Sequence, residues 1–206
     1  MRNFTRNFKV VDLKKEKGRV RLKLRNDYDK AITAFSFSPT GPSRYSIEPD
    51  FFPEMIAPGQ THEEVFRLPD DSGPERIIII GAVIFDDETG DGDKGRIARM
   101  KDYRLGKRLA ATHILPHLQN ILNGRDEQLM MRLQGAKLAI RYLPIPAQVQ
   151  PSSHVEAGFK TAVEHILMNL DEIEADKQKG TEDSFLRHRL DRIKERERRK
   201  SLVANR

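Results

Sequence analysis

Residues 76–93 carry the sequence RIIIIGAVIFDDETGDGD, in which the most hydrophobic run of the chain ends in a cluster of acids. An unbroken apolar run of this kind predicts a strand that is covered on both faces. The acids and glycines after it predict an exposed turn. Because the apolar residues change their spacing beyond residue 94, this stretch also predicts the boundary between a sheet region and a helical region.

Ahead of this stretch, short runs alternate between apolar and polar residues. Val20, Leu22 and Leu24 alternate with basic residues, which predicts a strand with one apolar face and one cationic face. The other runs lie at residues 4–10, 32–37, 44–47, 51–56 and 61–68, with turn signals between them. Short strands at intervals of roughly 8–12 residues are typical of a β-sandwich.

The helical region begins with apolar residues at helical spacing from residue 96 to residue 122. Pro116 lies inside this stretch and is expected to kink or divide the helix, because proline removes one backbone donor and clashes with the preceding turn. Further helices are predicted at 126–140, from Ser153 onward, and after Gly180. The last dozen residues of the final helix are expected to fray.

The helix from Ser153 has the clearest pattern. Ser153 and Glu156 match a capping box, and the apolar stripe at 155–173 is expected to pack against 126–140, with a dimer seam as the alternative. The predicted fold class is α+β, with an N-terminal antiparallel immunoglobulin-like β-sandwich of about seven strands and a C-terminal helical region. The predicted domains are the sandwich at 1–93, a helical subdomain at 94–146, and an amphipathic helix with a basic tail at 153–206.

The net charge of the chain is concentrated at one end. Of 37 basic and 31 acidic residues, nine basic and three acidic ones lie in 187–206, so that residues 1–186 are formally neutral. This tail is interpreted as a solvated, partly frayed helix. Two alternatives stay open: nucleic-acid binding through Arg192, Arg196 and Arg199, and attraction to an anionic lipid surface.

Two turn motifs carry a resemblance to a known family. Asn26 at the end of a strand, the following residues 30–34, and the Pro-Gly turn at 57–59 resemble FxLYD-type and related immunoglobulin-like modules of uncharacterised bacterial proteins. The resemblance covers roughly the first half of the chain. It implies a sandwich, and because such modules are often exported, it implies an exported protein as an alternative location.

The acidic cluster is the candidate metal site. Asp87, Asp91 and Asp93 could offer oxygen ligands to Ca²⁺, although residue 98, where an EF-hand loop counted from Asp87 needs a glutamate, is alanine. The alternative is an acidic turn whose charges are neutralised by basic residues of the next turn, Lys94, Arg96 and Arg99, with cation binding at best weak.

Catalytic motifs are not apparent in the sequence. Cysteine is absent, which excludes thiol chemistry, and His113 and His117 lack the adjacent glutamate of a zincin motif. The sequence therefore predicts a non-enzymatic interaction or scaffold protein without a cofactor, whose partner is another protein or a second copy. The competing hypothesis is a metal-assisted hydrolase that uses Asp86, Asp87, Asp91 or His113. Because no signal peptide or membrane segment is visible, a cytoplasmic location is expected.

Overall fold

The computed structural model describes residues 2–16, 19–39, 46–47, 56–67, 78–147 and 153–202. The chain divides into two compact units, Met1–Met100 and Lys101–Arg206. The first contains the strands β1 (Arg2–Asn3), β2 (Phe8–Glu16), β3 (Arg19–Asn26), β4 (Ile32–Pro39), β5 (Ser46–Ile47), β6 (Thr61–Arg67), β7 (Ile78–Phe85) and β8 (Gly90–Gly92). The helices are α1 (Lys94–Leu122), α2 (Leu129–Arg141), α3 (Ser153–Gln178) and α4 (Asp183–Leu202), with a 3₁₀ turn at Asp126–Gln128 before α2. The predicted α+β class is confirmed.

The strands of the first unit form two sheets. One has the order β1-β7-β4-β5, with β8 also paired to β7, and the other has the order β2-β3-β6. Neighbouring strands are antiparallel except for β1 and β7, which are parallel. The alternation in β3 has the predicted effect, because its residues are in turn exposed and buried along the whole strand.

The two sheets share a hydrophobic core. Val20, Leu22 and Leu24 of β3 belong to the same buried cluster as Phe35 of β4 and Val83 of β7. The rings of Phe8 and Phe35, one from each sheet, lie 5.3 Å apart between centroids. Burial of such side chains contributes about 1.5–3 kcal/mol each, so this cluster supplies the main stabilisation of the first unit.

Strand β7 is covered on both faces, as its apolar run predicts. Val83 and Phe85 lie in the core between the sheets, whereas Ala82 and Ile84 pack with Met100 from the first turns of α1. Residue 77, the first of the four isoleucines, lies outside the described residues.

Asn26 explains why the two turn motifs occur together. Its buried side chain donates from Nδ2 to the carbonyl oxygens of Lys30 (2.8 Å) and Ile56 (2.7 Å), and its Oδ1 accepts from the Tyr28 amide (3.0 Å). Its backbone carbonyl accepts from the amide of Gly59, which has a φ of +78°. One asparagine thus joins the turn after β3 to the turn before β6, with its polar atoms satisfied inside the protein.

The second unit is built around one helical core. Apolar residues from α1, α2, α3 and α4 form a single buried cluster, which includes Ile114, Leu133, Phe159, Leu170 and Leu190. The prediction that α3 packs against α2 is therefore confirmed. The capping box at the start of α3 stays a prediction, because the residue before Ser153 lies outside the described part of the structure. Glu156, the second residue of the predicted box, forms an ion pair with Lys160 at 2.6 Å.

Helix α1 continues through Pro116, so of the two expected effects of this proline the division of the helix is wrong, and the kink stays a prediction. Pro116 is itself exposed, whereas Ile114 and Leu118 on either side are fully buried. Proline inside a helix costs about 3 kcal/mol. Burial of apolar residues on both sides offsets this cost, so that the helix stays continuous.

Two glycines allow α1 and α3 to cross at backbone contact. A Cβ atom on Gly106 would lie 1.9 Å from the carbonyl oxygen of Val155, and one on Gly158 would lie 2.0 Å from that of Tyr103. Real Cβ atoms do not approach backbone this closely, so any side chain at either position must push the helices apart.

Helix α4 differs from the frayed helix that its charge suggested, and that expectation is corrected. The helix extends to Leu202, and Leu186 and Leu190 are fully buried, while Phe185 is 54% exposed. Arg187 donates to the carbonyl oxygens of Leu122 (2.7 Å) and Gly124, and so occupies acceptors at the end of α1. The basic segment is a structural part of the helical unit.

Candidate functional site

The acidic segment after β7 is a tight hairpin rather than an open loop. The Phe85 amide donates to the Thr89 carbonyl at 2.9 Å, and Glu88 adopts a φ of +62° between them. Asp87 accepts from the amide (3.0 Å) and the hydroxyl (2.5 Å) of Thr89 and forms an ion pair with Lys30 at 2.7 Å. The hydrogen bond from Lys30 is the largest cause, followed by those from Thr89, and together they hold the pKa of Asp87 well below its usual value.

Asp91 connects β8 to the N-terminus of the chain. It accepts from the Tyr28 hydroxyl, and from the amide (2.7 Å) and Nε (3.0 Å) of Arg6. Burial raises the pKa of Asp91, but the hydrogen bonds from Tyr28 and Arg6 outweigh this effect and hold it below its usual value. Burial, with the bond to Asp91, raises the pKa of Tyr28.

Asp93 has a third role. Its carboxylate accepts from the Arg96 amide at 2.7 Å, as an N-cap of α1 does. The three candidate calcium ligands therefore bind three different partners: Lys30 with Thr89, Tyr28 with Arg6, and the first turn of α1. Among the residues that the structure describes, no group of three or more acidic or histidine side chains is arranged to hold a metal ion. Weak calcium binding stays a prediction.

The cations that neutralise this hairpin come from distant parts of the sequence. Arg6 and Lys30 pair with Asp91 and Asp87, in place of the neighbouring residues expected from the sequence. Sequence reasoning missed both, because pairs 57 and 85 residues apart leave no local signal. The residues of the hydrolase hypothesis are divided between the units: Asp86, Asp87 and Asp91 lie in the first, and His113 lies on α1 in the second.

The outer face of the β2-β3-β6 sheet carries a concentration of exposed cations. Residues on this face are Lys9, Asp12 and Lys14 of β2, Arg19, Arg21, Lys23 and Arg25 of β3, and Thr61, Glu63 and Val65 of β6. We call this set the cationic sheet face. In its register Lys9 lies opposite Arg25 and Lys14 lies opposite Arg21, so that two cross-strand pairs have like charge. Such pairs are destabilising.

Ion pairs compensate these cations only in part. Arg25 pairs with Asp27 (2.5 Å), Arg21 with Glu63 (3.3 Å), and Lys14 with Asp12 (3.6 Å), and these side chains are between 29% and 64% exposed. Among the side chains that the structure describes on and beside this face, six cations are thus set against three carboxylates. Exposed pairs of this kind contribute about 0–1 kcal/mol each.

A finer division of the sequence would have shown this surface. Residues 1–25 contain ten basic and two acidic residues, and the acids of the following segments cancel this excess in the total. The formally neutral first 186 residues therefore consist of a cationic N-terminal segment and an acidic remainder.

The α4 arginines have three different environments. Arg199 pairs with Glu195 at 3.0 Å, and Arg196 donates to Nε2 of His165 at 2.8 Å. Bonds from Arg198 and Arg199 lower the pKa of Glu195 to about 2. Arg192 is exposed, and in the described part of the chain its side chain makes no hydrogen bond or ion pair.

Arg192 and Arg196 also line a surface pocket between α3 and α4. The pocket has a volume of about 190 Å³, and its other lining residues are Asn169, Arg189 and Ile193. Three guanidinium groups around a space of this size make an anion site the chemically apparent use. The nucleic-acid alternative for the tail implied a linear phosphate-binding surface, and the sequence alone did not indicate a pocket.

The chain matches no protein-family model, no curated protein and no solved structure in comparisons with each. Across the described residues, each helix is too short or too polar to cross a bilayer. The fold and its surfaces define an α+β protein of two compact units, each of which carries a basic surface.

Proposed function

We propose that this chain is a non-enzymatic interaction protein whose first unit is an immunoglobulin-like sandwich that binds an acidic segment of a partner protein through the cationic sheet face. The strand orders β2-β3-β6 and β7-β4-β5, around a shared core, support the sandwich and the resemblance to FxLYD-type modules. The observation that carries the binding role is the pair of like-charged contacts, Lys9 opposite Arg25 and Lys14 opposite Arg21.

These contacts are costly to the free protein. Like charges directly opposite in a sheet destabilise it by up to about 1 kcal/mol per pair, and exposed carboxylates relieve only part of this. An acidic partner removes the repulsion and gains attraction from the same groups. The repulsion between these pairs thus destabilises the free protein, and the complex relieves it.

The spacing on the face defines the partner further. The two like-charged pairs are four residues apart along β3, about 13 Å in an extended strand. Between them Lys23 lies opposite Asp12 and Glu63, which makes the middle of the face less cationic. The face therefore fits an extended polypeptide with two acidic groups about four residues apart. Val65, which is 50% exposed, offers an apolar contact beside Arg21.

A protein segment is favoured over a nucleic acid by the composition of the face. Single-stranded nucleic acids are bound by basic grooves with aromatic side chains that stack on bases. The described residues of the cationic sheet face include no aromatic side chain.

The experiment compares two variants with the same change of charge. Binding of a fluorescent peptide with glutamates at positions 1 and 5 is measured by anisotropy at 50 and 200 mM NaCl, beside a labelled single-stranded oligonucleotide. Lys14→Glu replaces a repulsive contact with Arg21 by an attractive one but also loses the exposed ion pair with Asp12, so we expect its thermal midpoint to change by less than about 2 °C while its affinity for the peptide falls about tenfold.

Lys23→Glu is the matched control. It places a third acid beside Asp12 and Glu63, so its midpoint falls and its affinity changes less than that of the Lys14 variant. Equal losses of affinity in the two variants would contradict a specific face, and tighter binding of the oligonucleotide than of the peptide would assign the face to nucleic acid. Failure of the wild-type chain to bind the peptide at 50 mM NaCl would also contradict the proposal.

A further inference from the structure

We propose that the pocket between α3 and α4 is a binding site for a phosphate-class anion. The site lies in the second unit and shares no residue with the cationic sheet face. Its five lining residues, Asn169, Arg189, Arg192, Ile193 and Arg196, include three cations and no acid.

The α3 side of the site fixes two of its arginines. Arg189 is held by ion pairs to Glu172 (2.9 Å) and to Asp176, so its guanidinium is positioned although its charge is compensated. Arg196 is oriented by its bond to Nε2 of His165, which accepts and therefore belongs to a neutral ring. A guanidinium held by such contacts loses little further freedom when it binds a ligand.

Arg192 supplies the charge that binding requires. It is exposed, and within the described residues no carboxylate pairs with it. Residues 189, 192 and 196 lie on one face of α4, because helical neighbours are three and four positions apart. Three forked donors facing one space can bind several oxygens of one tetrahedral anion.

The size of the pocket limits the ligand. Pockets for drug-sized molecules hold roughly 300–1,000 Å³, whereas this one holds about 190 Å³. It therefore fits a phosphate group, either as a small phosphate monoester or as the headgroup of a phospholipid. Asn169 adds an amide whose Nδ2 already donates to the His165 carbonyl at 2.7 Å.

The test is titration calorimetry of the full chain with inorganic phosphate, with NaCl of equal ionic strength as the reference. Arg192→Gln is the site variant, and Arg198→Gln is the matched control, because Arg198 lies on the same helix, pairs with Glu195 and does not line the pocket. We expect Arg192→Gln to weaken phosphate binding about tenfold or more, and Arg198→Gln to retain it. The melting curves of both variants without phosphate check that each remains folded.

Equal weakening in the two variants would show attraction to the whole helix and would overturn the site, as would the absence of any phosphate-specific heat. Co-sedimentation with phosphatidic acid vesicles, against phosphatidylcholine vesicles, distinguishes the sources. Vesicle binding that Arg192→Gln abolishes identifies the headgroup as the ligand, and phosphate binding without vesicle binding identifies a soluble monoester. Vesicle binding that Arg192→Gln leaves unchanged, without binding of free phosphate, would overturn the proposal.

Discussion

The two basic segments of this protein use their charge in opposite ways. In residues 1–25 six cations project from an exposed sheet face, and the pairs Lys9–Arg25 and Lys14–Arg21 have like charge. In α4 the cations are built into a packed helix, where Arg187 occupies backbone acceptors of α1 and Arg189 joins α4 to α3.

The difference shows that net charge does not measure how much charge is available for binding. The net charge of the tail equals that of the whole chain because residues 1–186 are formally neutral, yet buried Glu197 and Lys200 pair with each other there at 2.8 Å. The excess of basic residues in 1–25 is cancelled in the total by acids of the following segments, yet six of these cations lie together on the cationic sheet face. Each prediction below tests one side of this contrast.

The largest effect is expected from deletion of residues 187–206. This removes Leu190 from the core and Arg187 from the end of α1, and loss of one buried leucine alone costs about 2–5 kcal/mol. We expect loss of the cooperative helical melting transition, measured by circular dichroism at 222 nm. Deletion of 203–206 is the control. An unchanged helical transition after the longer deletion would mean that α4 is a solvated tail after all.

The second largest effect on stability is expected at the crossing of α1 and α3. Gly106→Ala places a methyl group against the Val155 carbonyl, so we expect destabilisation of about 3 kcal/mol. Gly135→Ala is the matched control, because a Cβ there meets nothing within 4 Å and alanine favours the helix by about 1 kcal/mol. Urea unfolding should show changes of opposite sign. Equal midpoints would disprove the close crossing.

A smaller effect is expected from acid on the hairpin that anchors Arg6. The pKa values of Asp87 and Asp91 are below their usual values in the folded chain. A depressed folded-state pKa stabilises the protein above the unfolded value near 4, and this stabilisation is lost as the pH falls from there through the folded value. Asp91→Asn should lower stability by about 1 kcal/mol at pH 7 and flatten the decline of the melting midpoint between pH 5 and pH 3. An unchanged acid profile in this variant would exclude Asp91 from the linkage.

The smallest effect is expected from calcium. Because Lys30, Arg6 and Tyr28 already bind Asp87 and Asp91, millimolar Ca²⁺ should shift the melting midpoint by less than about 1 °C. Calorimetric scans with and without calcium measure this. A shift of several degrees that disappears in Asp91→Ala would show that Ca²⁺, and not Arg6, neutralises the acidic residues of the hairpin.

Local pattern was sufficient for much of the fold. The alternation of Val20, Leu22 and Leu24 correctly assigned a strand and both its faces, because the period of a strand is written in adjacent residues. Helix α3 and its packing on α2 were also predictable from its apolar stripe. The sparse apolar pattern of α4 did not define its buried face, because Phe185 is 54% exposed while the adjacent Leu186 is fully buried.

Long-range contact determined the rest. Whether Pro116 divides a helix depends on what Ile114 and Leu118 bury, and whether a cation is available depends on carboxylates that other elements bring to it.

The sequence by itself determined the element types, the change from sheet to helix near residue 94, and the presence of two basic segments. Only the tertiary structure decided that Arg6 and Lys30 neutralise the hairpin, that α4 is part of a core, and that Arg189, Arg192 and Arg196 surround one pocket. The physical reason is that periodicity is a property of neighbouring residues, whereas ion pairing and pocket formation depend on distances that folding alone sets.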